Sequence, residues 1–156
     1  MPNTLVLLDT GNLHYGVNRK FAGRCIDYAK LYNQWAGEDT ISIAYGTIAN
    51  DRAYGFRDAL RHYGFIVKFK GLNTETKRYN PIVDIVLEAV NHVDRVNTII
   101  LGSSNKAFLP LIQWLRARSI EVGIWASYIS YEMKEASNFW REIDEEVLIE
   151  TNTSSR

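Results

Sequence analysis

Short blocks of consecutive apolar residues alternate along the chain with longer blocks in which apolar positions recur every three or four residues. "TLVLLD" (4–9) is a continuous apolar run too short for a helix, and it ends at "TGN", so it reads as a buried strand closed by a turn. "IDYAKLYNQWAG" has helical spacing and closes on Gly37, and the β-rich "TISIAYG" follows it. The pair then repeats. "NDRAYGFRDALRHYG" opens with Asn50 or Asp51 as a cap and stops at Gly64, before the extended "FIVKFKG".

A polar connection, "LNTETKRY" (72–79), breaks this rhythm and reads as a loop. In "NPIVDIVLEAVNHV", Asn80 is placed to cap a helix, and Pro81 sits at its first position, where a missing N–H costs nothing. Strand "NTIILG", helix "KAFLPLIQWLRARS" and strand "EVGIWA" follow, with Pro110 early enough in its helix not to break it. A last helix is expected near "SYEMKEASNFWREI", then a short final strand at "EEVLIE" and a loose tail, "TNTSSR". Strands alternating with helices require crossover connections. The expected fold is therefore α/β, with a doubly wound, mostly parallel sheet and helices on both faces. Function in such sheets gathers at the carboxyl ends of the strands.

With 156 residues, 46% of them apolar, the chain supports one core, so residues 1–150 are expected to form a single domain and 151–156 a tail. No uninterrupted apolar run approaches the length of a membrane span, and the first residues lead directly into a strand, so a cytoplasmic protein with no membrane partner is expected. Cys25 is the only cysteine, which excludes an internal disulfide or thiolate metal cluster and suggests a small core residue. Net charge is zero, but the charges segregate. Residues 52–78 hold seven Lys/Arg against Asp58 and Glu75, a net of +5, and residues 142–150 hold five acids and no base. Such runs are commonly solvated faces, and a basic one can also attract phosphate.

The candidate chemistry is sparse. Asp9 and Asn12, in "LLDTGN", would stand over the carboxyl edge of the sheet, while Asp84 lies one turn into its helix with Glu88 on the same side. Taken singly, Asp9 is a turn-forming aspartate and Asp84 a favourable charge at a helix N-terminus. No GxGxxG, P-loop or GxSxG is present, and His14, His62 and His92 lack metal-ligand spacing. "LLDTG" matches the active-site string of aspartic proteases, but those proteins are β-rich and this chain alternates strand and helix.

Taken in order, "LVLLDTGNL", "LRHYGFIVKFKG", "KRYNPIVDIVLEAV" and "IILGSSNKAFLPLIQWLRARSIEVGIWA" resemble the NYN domain, in its LabA-like branch, a relative of the PIN-domain nucleases. The resemblance implies a PIN-like fold and a magnesium- or manganese-dependent ribonuclease whose carboxylates meet at the strand ends. Asp9 and Asp84 match two of the acids, hence the metal ligands, and Asn12 matches their polar partner. Where the family's turn reads Ser-Gly-Asp-x-Asp-Phe, this chain has Ser103, Ser104, Asn105, Lys106, Ala107 and Phe108, so both aspartates are absent. A late aspartate of the family corresponds to Asn138.

Three readings follow. In the first, a single ion on Asp9 and Asp84, helped by Asn12 and Asn105, activates water to hydrolyse RNA. In the second, the same groove binds single-stranded RNA without turnover, with Ser103, Ser104, Lys106, Lys77, Arg78 and Arg52 on phosphates. In the third, the domain is a protein-interaction module and forms a homodimer. Locally, Ser103 or Ser104 is expected to cap the following helix.

Overall fold

The computed structural model describes residues 3–35, 39–71 and 79–150. Gly37, Lys77, Arg78 and nearly all of the expected 72–79 loop lie outside them. Six strands form one sheet: β1 (Thr4–Asp9), β2 (Thr40–Ile48), β3 (Ile66–Gly71), β4 (Thr98–Gly102), β5 (Glu121–Ala126) and β6 (Phe139–Glu142). Their order is β3-β2-β1-β4-β5-β6, and every pairing is parallel. β1 and β4 lie between neighbours and under helices on both sides, which accounts for their unbroken apolar sequences. Gly102 belongs to this close packing, because a Cβ there would stand 3.2 Å from the Leu8 backbone.

The helices are α1 (Thr10–Lys20), α2 (Tyr28–Trp35), α3 (Arg52–Tyr63), α4 (Ile82–Asn91), α5 (Leu109–Arg116) and α6 (Tyr131–Ala136). Strands β1 to β3 progress toward one edge and β4 to β6 toward the other. Right-handed crossovers therefore put α1, α2 and α3 on one face and α4, α5 and α6 on the other. This is the doubly wound arrangement expected. Gly64 ends α3 as expected, with φ +115°. α4 begins one residue later than expected: Pro81 occupies the cap position and Ile82 is the first helical residue, with Asn80 Oδ1 accepting from the Ile82 N–H at 3.0 Å. Among the described residues no helix is long and apolar enough to cross a membrane.

Three local expectations are corrected. "TGN" is not a turn but the start of α1, which is held down by buried Leu13 and Val17 four residues apart. The last helix stops at Ala136, and "FWRE" pairs with β5 instead. Asn138 causes the switch: its N–H donates to the Val122 carbonyl and its Oδ1 accepts from the Val122 N–H, both at 2.8 Å, which pins the chain beside β5. The Phe139 ring then covers Gly123, where any Cβ would collide with it. Finally, "EEVLIE" forms a 3₁₀ turn, Glu145–Val147, and one antiparallel bridge between Leu148 and Ile26.

Candidate functional site

The order of the strands reverses between β1 and β4, so the connections leaving their carboxyl ends diverge and open a crevice there. Asp9 ends β1 and is 8% exposed. Its Oδ1 accepts from the Asn12 N–H at 3.2 Å, capping α1. Burial pushes its carboxyl above the usual carboxylate range, and the N–H groups of Asn12 and Gly11 partly offset this. Asn12 in turn spans the crevice, its Oδ1 accepting from the Ser104 N–H at 3.0 Å and the Ser104 hydroxyl at 3.2 Å. The start of α1 and the turn after β4 are thereby tied together. Within that turn Ser103 Oγ accepts from the Asn105 N–H, and Asn105 Oδ1 accepts from the Ala107 N–H at 2.9 Å. Asn105, not either serine, therefore caps the 3₁₀ turn Lys106–Phe108 that precedes α5.

Asp84 lies in the first turn of α4, facing β3. Its Oδ2 accepts from the Tyr79 hydroxyl and pairs with Lys70 Nζ at 2.9 Å. Those two partners, Tyr79 first, hold its carboxyl below the ordinary range. One turn later Glu88 Oε1 takes Lys68 Nζ at 2.5 Å and the Tyr45 hydroxyl at 3.4 Å. The pairing follows from two periodicities. Lys68 and Lys70 are two apart on a strand and share a face, Asp84 and Glu88 are four apart on a helix and share a side, and the two rows meet pair for pair. Together with Tyr45, they line a crevice of about 350 Å³. Burial, the hydrogen bond and charge of Asp84 and then the charge of Asp9 push the Tyr79 phenol upward.

The remaining candidates disperse. Lys106 is exposed and pairs with Glu132 of α6 at 3.3 Å. Arg52 opens α3 and lines a different cavity, on the α1 and α3 face. Asn138 sits beside Val122 at the amino end of β5, across the sheet from the carboxyl edge, so its place in the site is corrected to a structural one. Sequence reasoning reached Lys68 and Lys70 only as part of the basic 52–78 segment and Tyr45 and Tyr79 only among aromatics expected to be mostly core, and singled out none of the four as a site residue. The available signal was Lys-x-Lys on a strand followed by Asp and Glu four apart on the next helix.

Two substitutions separate the roles of Asp9. Asp9→Ala loses the cap and is expected to lower stability by about 1 kcal/mol. Asp9→Asn keeps an acceptor and removes the buried charge, so near neutral pH it should be at least as stable as the parent. That advantage should shrink as pH falls through the raised pKa of folded Asp9 and vanish below the unfolded value, because protonation relieves the same penalty. Urea unfolding at about pH 7 and about pH 3 reads both effects. An asparagine variant weaker than the alanine variant near neutrality would contradict the assignment.

The crystal structure of a protein of unknown function from Vibrio parahaemolyticus superimposes with a TM-score of 0.86, covering 95% of this chain and 96% of that one, at 22% sequence identity. That likeness establishes the fold. A search of curated proteins finds no match. The family model of the NYN domain matches residues 3–149, nearly the whole described chain. With that match and a six-stranded parallel sheet in this order, the chain belongs to the NYN domain family, a group of PIN-like nuclease domains.

Proposed function

We propose that this NYN domain binds single-stranded RNA along the carboxyl edge of its sheet without hydrolysing it. The observation that carries the reading is the pairing of Lys70 with Asp84 at 2.9 Å and of Lys68 with Glu88 at 2.5 Å. NYN and PIN-like nucleases in general depend on divalent metal. Such ions need several oxygen ligands, and a two-ion site holds them about 3.5–4 Å apart. The donors here do not fit that arrangement. Asp84 Oδ2 is engaged by an ammonium and a hydroxyl, Asp9 Oδ1 caps α1, and the turn after β4 offers Asn105 and Lys106 where carboxylates would be needed. Among the described residues no group of three or more His, Cys, Asp or Glu is arranged to hold a metal ion.

Carboxylates clustered without cations repel, by roughly 4 kcal/mol for a pair about 4 Å apart at an intermediate dielectric. In this crevice the chain supplies its own cations. Lys68 and Lys70 balance the acids and offer their remaining N–H donors to a phosphodiester, and the partly exposed Ser104 adds a further polar group.

End-labelled single-stranded RNA incubated with the protein in Mg²⁺, in Mn²⁺ and in EDTA tests the proposal. Retention that weakens steeply with salt, with intact RNA in all three, is the expected result. Metal-dependent fragments lost in Asp9→Asn would instead establish single-ion hydrolysis by Asp9 and Asp84.

A further inference from the structure

The apolar side chains that the fold leaves most open to water are not scattered. Tyr131, Tyr128, Val83 and Tyr15 are the most exposed large hydrophobic residues among those described, at 74%, 69%, 66% and 64%. Single exposed apolar residues need no explanation, whereas several on one surface mark a contact site. Three of the four are tyrosines in the segments that leave the carboxyl ends of β1 and β5: Tyr15 in α1, Tyr128 in the connection after β5, and Tyr131 at the start of α6.

Contacts between these segments bring them together. Where α1 passes the end of β5, a Cβ on Gly16 would stand 2.2 Å from Ser127 Oγ, and Lys20 Nζ donates to the Ser127 carbonyl at 2.7 Å. Tyr15 adjoins Gly16 and Tyr128 adjoins Ser127, so the two tyrosines belong to touching stretches of chain. Lys106, in the turn after β4, pairs at 3.3 Å with Glu132, the neighbour of Tyr131. The tyrosines thus stand on the β5 side of the switch point, and Lys68 and Lys70 on the β3 side. Four strand spacings separate β3 from β5, roughly 19 Å, a distance that a short single strand spans.

The charge beside Tyr15 indicates the kind of partner. Arg19, one turn on, lies 5.5 Å from the Tyr15 ring centroid and donates to its hydroxyl at 3.2 Å. Lys20 meets a backbone carbonyl and not an acid. Among the described residues neither cation has an ion-pair partner. An apolar protein surface would cover these charges without balancing them, at a cost. A chain of flat groups joined by negative ones suits both features, since bases stack on aromatic faces and phosphates meet the cations.

We infer that Tyr15, Tyr128 and Tyr131 form a stacking platform for the bases of single-stranded RNA, with Arg19 at its phosphates. The inference rests on the RNA binding proposed above and deepens it. The lysines hold the backbone at one end of the edge, and the tyrosines take bases at the other with little sequence preference, because every base has a stacking face.

Binding of unstructured single-stranded RNA to the full chain should be measured across a salt series, beside an oligonucleotide of equal length that is abasic at its central residues. Tyr128→Ala or Tyr131→Ala should weaken binding of the intact RNA about fivefold to 100-fold, the effect of one lost stack. The plot of log K against log salt should drop without changing slope, because a stack releases no counterion. Tyr128→Phe and Tyr131→Phe keep the face and should bind as the parent does. Arg19→Met should instead flatten the slope by about 0.7. The parent should bind the abasic strand more weakly than the intact one, and the double alanine variant should bind the two alike. Both tyrosines are exposed, so these variants should fold as the parent does. Equal binding of RNA by the parent and both alanine variants would overturn the platform and leave RNA binding standing. No binding by the parent at low salt would overturn the RNA reading and the platform together. A parent dimer that either alanine variant turns into a monomer would assign the tyrosines to protein and overturn the platform.

Discussion

Replacing Phe108 with alanine is expected to destabilise the protein by about 3–5 kcal/mol, the range for truncating a fully enclosed aromatic side chain. Phe108 is 0% exposed and closes the 3₁₀ turn Lys106–Phe108, directly after the residues that meet Asn12. Its ring fixes that turn from below, while Asn105 and Ser103 fix it through side-chain hydrogen bonds to the backbone. Losing the ring therefore removes core packing and loosens the crevice wall together. Set against the 5–15 kcal/mol typical of a domain, the loss leaves a marginal fold. Urea unfolding monitored by tryptophan fluorescence measures the first effect, and the Asn12 side-chain amide signals report the second. Phe108→Leu, which keeps much of the apolar volume, should recover most of the stability and the amide signals. A cost below about 1 kcal/mol for alanine would mean that the turn is not anchored through this side chain.

The layered fold was legible because buried parallel strands need unbroken apolar runs. "TLVLLD" and "NTIILG" could be placed from hydrophobicity alone, and they are the strands that flank the switch point. Helix α1 was not legible, since Thr10, Gly11 and Asn12 are turn formers locally. What makes them helical is the Asp9 cap and the burial of Leu13 and Val17 under the sheet, a tertiary effect. Strand β6 was hidden for a similar reason: the Asn138 contact to Val122 joins residues sixteen apart, and apolar spacing carries no trace of it. At the site, Asp9, Asn12 and Asp84 could be singled out from the residues and the family resemblance. Their counter-charges could not, because strand alternation puts Lys68 and Lys70 on one face without saying which helix covers it. Arg52 and Lys106 show the converse. Both looked like phosphate contacts in a basic stretch or turn, yet one lies on the opposite face and the other is paired with Glu132.

Asp84→Ala gives the two readings of this crevice opposite signs. In a metal-dependent nuclease the substitution removes a ligand and should abolish metal-dependent action. In the binding reading it removes the acid that occupies Lys70 at 2.9 Å, and the freed ammonium turns toward the RNA backbone. Affinity at low salt should then rise several-fold, and the slope of log K against log salt should steepen by about 0.7, the increment for one added phosphate contact on a single strand. Lys70 also lies 5.4 Å from the Tyr79 ring centroid, which helps to keep the ammonium at the crevice once its acid has gone. The lysine can be isolated with a double-mutant cycle, in which Lys70→Met is made alone and in the Asp84→Ala background. Alone it should weaken binding, because Asp84 then meets the phosphate unbalanced. In the Asp84→Ala background it should cancel the gain and restore the parent slope. Binding that falls in Asp84→Ala, with Mg²⁺ and EDTA giving different affinities in the parent, would show that the acid serves an ion and not the lysine.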